Sequence, residues 1–154
     1  MHVVVASDHA GYLLKEELKK FIAEQLGHTI EDAGAYILES GDDYPDFVAK
    51  AAEKISANAG WRAVILGGSG AGEAIVANRY PNVRAVVYYG GNEKIITLSR
   101  EHNDANILSL GSRFLEADDA KHAVRLWLET PFGADERHAR RIAKIEMIEL
   151  PRGG

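Results

Sequence analysis

The sequence predicts an α/β protein: a doubly wound, five-stranded parallel sheet with helices on both faces, followed by a C-terminal helix. Three observations carry that expectation. Short β-branched or aliphatic runs alternate five times with stretches whose apolar residues recur at helical spacing. The connections are short and rich in glycine, asparagine and aspartate. Strand and helix repeated in this way is the pattern of βαβ units joined by right-handed crossovers.

In chain order, Val3-Val4-Val5-Ala6 reads as a first strand, and Ser7 to Gly11 as the polar loop that starts a helix. From Tyr12 to Gln25 the residues Leu13, Leu14, Leu18, Phe21, Ile22 and Leu26 mark a helical face, and Gly27 stands where a C-cap glycine belongs. Thr29 to Asp32 is a second strand. Asp42-Asp43-Tyr44-Pro45 then opens a helix through Phe47, Val48, Ala51, Ala52 and Ile55, with Asp43 or a neighbour as its cap. Trp61 to Leu66 is the central strand, with a helix from about Gly72 to Asn78. Val83 to Tyr88 is a strand, Lys94 to Glu101 a helix, and Ile107 to Leu110 the fifth strand. Ala117 to Leu128 is strongly amphipathic, and a last helix runs from near Asp135 to about Ile148. Such a Rossmann-like sheet binds ligands outside the carboxyl ends of its strands. Asp8-His9, Ser69 to Glu73, Tyr88-Tyr89 and Arg113 all follow strand ends, which places them on one rim.

The 154 residues read as a single domain, 1–154, long enough to bury a full core. With 23 acidic against 18 basic residues, a net charge of −5 speaks against nucleic acid as a general partner. The absence of cysteine excludes disulfides, a thiolate nucleophile and cysteine-based metal sites. No signal-peptide layout or membrane-length apolar run is present, so no membrane association and a cytoplasmic location are expected.

The chain turns on Val64 to Ile75. An apolar run meets four glycines within six residues, 67 to 72, and then a helical pattern beginning near Glu73. Main-chain N–H groups in such a turn, with a helix start behind them, cradle negative charge. Gly67 and Gly72 match the glycines of a P-loop, but Glu73 stands where its lysine belongs and would repel a phosphate. The dinucleotide fingerprint fails as well, because Gly68 and Gly70 would need a glycine at 73. A carboxylate beside converging N–H donors suits removal of a carbon-bound proton, with the donors stabilising the oxyanion that develops next to it. The plain structural alternative is an acidic residue favouring the helix dipole.

Other groups are similarly double-edged. Arg137 and Arg141 share a face at i, i+4, with His138 beside them, in the first turns of the last helix. Cations there oppose the dipole unless a phosphate is bound, and the alternative is a solvated face balanced by Asp135, Glu136 and Glu146. His9 and His102 are candidate acid–base groups or ordinary structural histidines at element ends. No metal-ligand spacing is evident, and neither metal nor cofactor is expected.

Several motifs together resemble the B-type ribose-5-phosphate isomerases, a family that includes the galactose-6-phosphate isomerase subunits. They are Ser7-Asp8-His9-Ala10-Gly11, Asp43-Tyr44-Pro45, Gly68 to Gly72 with Ala77-Asn78, Arg84-Ala85-Val86, Arg100 to Asn106, Gly111-Ser112-Arg113 and Arg137-His138-Ala139-Arg140-Arg141. The resemblance spans the chain and implies metal-free aldose–ketose isomerisation of a phosphorylated sugar through a cis-enediolate. Ribose 5-phosphate is the first choice of substrate, with a six-carbon galactose or allose 6-phosphate as the alternative. A non-catalytic sugar-phosphate binder is the alternative from another class. Carried over by resemblance, His9, Arg113, Arg137 and Arg141 hold the phosphate, with His138 alongside. Asp8 and His102 serve ring opening, and Asn103 and Tyr44 place the sugar. Gly68, Ser69, Gly70, Ala71 and Gly72 bind the enediolate oxygens, Ser69 assisting proton transfer between them. Many members carry a cysteine base at the position of Gly67; this sequence is similar to the subgroup in which the base is the glutamate after the loop, Glu73. The resemblance also implies a homodimer with shared active sites. Glu73 and its loop would come from one subunit, and His102, Asn103 and Arg113 from the other.

Overall fold

The computed structural model describes residues 1–148. Five strands form one sheet: β1 (His2–Ser7), β2 (Thr29–Asp32), β3 (Arg62–Gly67), β4 (Ala85–Tyr88) and β5 (Ile107–Gly111). Every pairing is parallel, in the order β2-β1-β3-β5-β4. The helices are α1 (Tyr12–Lys20), α2 (Pro45–Ala57), α3 (Ala71–Ala77), α4 (Lys94–Glu101), α5 (Ala117–Glu129) and α6 (Glu136–Glu146). The expected α/β sheet is therefore present, with its C-terminal helix.

Right-handed crossovers assign the helices to faces. The steps β1 to β2 and β4 to β5 run one way along the sheet, and β2 to β3 and β3 to β4 run the other. Reversing direction flips the face on which a right-handed crossover lies. Accordingly α1, α4 and α5 cover one face, and α2 and α3 the other. Strand alternation supplies both cores. Val3, Val5, Val64, Leu66, Leu108 and Leu110 pack under α1 and α5 with Leu18, Ile22, Val124 and Trp127. Val4, Ala6, Ala63 and Ile65 pack under α2 with Val48, Ala51, Ala52 and Ile55. Strands buried on both faces must be apolar throughout, which is why β1 and β3 read as unbroken aliphatic runs.

Several element ends differ from expectation. The first helix widens after Lys20 into a π turn, Phe21–Gln25, and Gly27 follows at φ +72° as a C-cap glycine should. Asp43 does not cap α2. Tyr44 holds that position without a side-chain bond, Pro45 occupies the first turn, and Asp43 contributes only its carbonyl, to Asp46 N–H. Strand β4 starts at Ala85 rather than Val83, because Asn82 turns to φ +62° and Arg84 N–H is taken by the Asn106 side chain. Helix α6 stops at Glu146.

One buried cation ties α1 to the end of β2. Lys15 is fully buried, and its Nζ lies 2.8 Å from both Asp32 carboxylate oxygens and from Ala35 O. Burial alone would raise the Asp32 pKa. Lys15, Lys19 and the Gly34 N–H outweigh it and hold the group below the ordinary carboxylate range. Lys15→Met removes the charge from this pocket but leaves Asp32 its bonds to Lys19 and Gly34 N–H. It is expected to destabilise the fold by about 1–3 kcal/mol, read as a lower urea midpoint at unchanged slope. An unshifted midpoint would show that the pocket does not need its charge.

Candidate active site

The glycine loop is shaped by what grips its carbonyls. Gly67 O accepts from Ser112 Oγ at 2.6 Å, Gly68 O from Arg113 N–H at 3.1 Å, and Gly70 O from Ser109 Oγ at 2.7 Å. In a trans peptide the N–H points opposite to the C=O. Fixing these carbonyls toward β5 and the turn after it therefore aims the following N–H groups away from the sheet. The N–H groups of Gly68, Ser69 and Gly70 donate to no atom among the described residues, and that of Ala71 meets Ser69 Oγ at 3.2 Å. Gly70, the N-cap of α3 at φ +80°, needs the left-handed region that glycine enters freely. The result is an anion cradle at the carboxyl end of β3.

Glu73, in the first turn of α3, is 3% exposed. Its carboxylate lies over Gly67, so that a Cβ there would overlap it. Among the described residues no cation pairs with it. Burial pushes its carboxyl above the ordinary range, its own main-chain N–H pulls back, and the nearby Asp8 carboxylate adds to the rise. A buried, unpaired carboxylate of raised pKa beside N–H donors is the equipment of a general base.

The same rim carries most of the other candidates. Asp8 is buried and accepts from the N–H groups of Ala10 and Gly11 at 3.0 and 3.4 Å. The Arg113 guanidinium lies over Gly68 and the Tyr44 hydroxyl over Gly72; a Cβ would meet them at 3.0 and 2.5 Å respectively. Glycine at both positions leaves room for these side-chain ends as they stand. Arg113, expected from a partner subunit, packs instead on its own chain's loop, because it follows β5, the immediate neighbour of β3. His9 meets a residue that the sequence reading had not singled out. Asp42 Oδ1 accepts from His9 N–H at 3.0 Å and lies 2.6 Å from His9 Nδ1. No local pattern reveals a contact across 33 positions. Ser109 and Ser112 were likewise missed, since strand and turn serines carry no signature of what they bind. Asp8, His9 and Asp42 could together offer three metal ligands, their donor atoms lying within 4.8 Å of one another. His9 Nδ1 and Asp42 Oδ1 are paired with each other.

The remaining candidates lie elsewhere. His102 caps the C-terminus of α4, just before β5, and so sits at the amino edge of the sheet. Asn103 O accepts there from Arg84, which precedes β4. His138 stacks on His102, ring centroids 4.1 Å apart, bringing the start of α6 to the same edge. Desolvation, then the neighbouring His102 and Arg137, lowers the His138 pKa against the pull of Asp135. Arg137, Arg140 and Arg141 are exposed along this helix. The two groups of residues are separated by the length of a strand, about 15 Å for the five residues of β5. One chain does not bring them together.

A family profile described as Ribose/Galactose Isomerase matches residues 3–145. The ribose-5-phosphate isomerase B of Mycobacterium tuberculosis is 37% identical over 142 residues, 92% of this chain and 86% of that protein. The structure of ribose-5-phosphate isomerase B from Clostridium thermocellum superposes with a TM-score of 0.87 at 40% identity, covering 95% of each chain. That of Mycoplasma genitalium, with bound ribulose 5-phosphate, gives a TM-score of 0.88 at 32% identity, covering 94% of this chain and 93% of the other.

The Glu73 environment has a consequence for stability. A carboxyl whose native pKa exceeds its unfolded value contributes stability that is complete below the unfolded value and is lost as pH rises through the native one. Glu73→Gln cannot ionise. It is expected to melt above the parent at pH 7, by about 2–4 °C per kcal/mol recovered, the gap closing below about pH 4. Parent and variant melting together at pH 7 would mean that the carboxylate carries no burial penalty.

Proposed function

Since this chain belongs to the ribose/galactose isomerase family, we propose that it interconverts ribose 5-phosphate and ribulose 5-phosphate, with Glu73 as the base. The protein is an aldose–ketose isomerase, the activity for which its relatives are named. The observation that carries the catalytic assignment is the buried, unpaired Glu73 carboxylate against a loop whose N–H groups face outward.

Aldose and ketose differ by one proton shift on carbon and one on oxygen. Glu73 takes the C2 proton, leaving a cis-enediolate, and returns it to C1. The hydroxyl proton passes from O2 to O1, with Ser69 as the relay. The N–H groups of Gly68, Ser69 and Gly70 stabilise the charge on these oxygens, which is greatest midway along the reaction. Asp8 assists ring opening, Tyr44 positions the sugar, and His9 and Arg113 hold the phosphate.

This leaves the second set, His102, Asn103, Arg137, His138 and Arg141. In our reading they complete the site of a second copy within a two-fold homodimer. Their distance from Glu73 in one chain supports this. So do exposed apolar side chains unusual for a free surface, among them Ile75 on α3, Tyr36 to Leu38 after β2, and Ile145, Met147 and Ile148 at and just after the end of α6.

Glu73→Gln is expected to lower kcat by about 10²–10⁴-fold while leaving the affinity for ribose 5-phosphate nearly intact. Near-normal turnover would assign the base elsewhere. Assembly is tested by mixing. Glu73→Gln and His102→Asn proteins, each nearly inactive, are unfolded together and refolded. Half of the dimers pair one chain of each kind and carry one sound site, so about a quarter of parent activity returns. If mixed dimers verified by mass stay inactive, both residues serve the same chain's site.

A further inference from the structure

Asp42 has no part in the reaction as assigned above, yet it is held at some expense. Its side chain is 9% exposed, and Oδ2 is buried with no hydrogen-bond partner among the described residues. A buried carboxylate oxygen without a partner opposes folding and persists where the other oxygen has a task. Here Oδ1 makes two contacts, both to His9: the main-chain N–H at 3.0 Å and ring Nδ1 at 2.6 Å. The geometry points to Asp42 as the positioning residue for His9. It fixes the ring's rotation and holds the proton on Nδ1, so that Nε2 is the atom presented to the substrate phosphate.

The chemistry follows from the valence of the ring. A carboxylate accepts only, so the nitrogen facing it must carry the hydrogen. Nε2 makes no hydrogen bond among the described residues, and the side chain is 31% exposed. With Nδ1 protonated, Nε2 donates to a phosphate oxygen only once the ring takes a second proton from solvent and becomes the imidazolium, and Asp42 is the anionic acceptor already in place beside that cation. Asp8 makes no bond to the His9 ring. Although it adjoins His9 in sequence, its Oδ1 is committed to the N–H groups of Ala10 and Gly11. The main-chain bond from His9 also draws the loop before α2 against the end of β1. That loop carries Tyr44 as well, so one carboxylate bears on two substrate contacts from two separate segments of the chain.

This inference rests on the reading of His9 as a phosphate ligand, and the test separates the two. Asp42→Asn keeps an oxygen that can accept from the His9 main chain but removes the charge facing the ring, so a role confined to pinning the loop would be spared. It is expected to raise KM for ribose 5-phosphate roughly tenfold with a smaller change in kcat. The same substitution in a His9→Ala background is expected to add almost nothing. Long-range ¹H–¹⁵N spectra of the parent, taken where the ring is neutral, should show His9 protonated on Nδ1, and Asp42→Ala should move that proton toward Nε2. Unchanged KM for Asp42→Asn beside a raised KM for His9→Ala would overturn the inference alone. A parent ring protonated on Nε2, or an Asp42→Asn effect undiminished without His9, would overturn it as well. Unchanged KM for His9→Ala would instead remove the phosphate role of His9 and the inference built on it.

Discussion

The site depends on a carboxylate kept in a place that ordinarily refuses one. Glu73 is buried, has no cationic partner among the described residues, and occupies the volume that a side chain at position 67 would fill. Many members of the family carry a cysteine there, whereas in this chain the Glu73 carboxylate lies where a Cβ would stand. The base we propose thus reaches the same space from the helix after the loop instead of the strand before it. Burial raises its proton affinity, and the same burial opposes folding whenever the group is charged. If Glu73 is the base, as we propose, stability and reactivity are set against each other at one residue.

The structure tolerates this because the loop around Glu73 is held from the sheet. Ser109 and Ser112 donate to Gly70 O and Gly67 O, and Arg113 N–H to Gly68 O. These bonds issue from β5 and the turn after it, and β5 is β3's immediate neighbour although the chain visits β4 between them. The return of the chain from β4 to an inner position is what lays Arg113 over Gly68. An oxyanion cradle of main-chain N–H groups is only as well aimed as its carbonyls are fixed.

Parallel topology also divides the candidate residues. Helices run back along the strands, so α4 delivers His102 to the amino edge while the strand ends deliver Asp8, Ser69 and Arg113 to the carboxyl edge. Stacking of His138 on His102 brings α6 to the former. Neither edge carries a complete set for binding and ring opening, and a second copy meeting the first across this division supplies the missing half in our proposal.

The sequence by itself determined the sheet, because strands buried on both faces must be continuously apolar and helices covering them must repeat at helical spacing. It also marked the glycine loop and singled out Glu73, since a carboxylate in place of a P-loop lysine is a local chemical contradiction. Element ends were less legible. Asp43 looked like a cap, and Asn82 gave no sign of the turn that shortens β4, because such ends are decided by hydrogen bonds made with distant partners. Only the tertiary structure decided that Asp42 grips His9, that two serines set the loop, that Arg113 serves its own chain's rim, and that His102 lies a strand's length from Glu73. Each depends on which strand lies beside which and which way a helix runs. Periodicity records whether a residue faces the core; it does not record what the residue meets there.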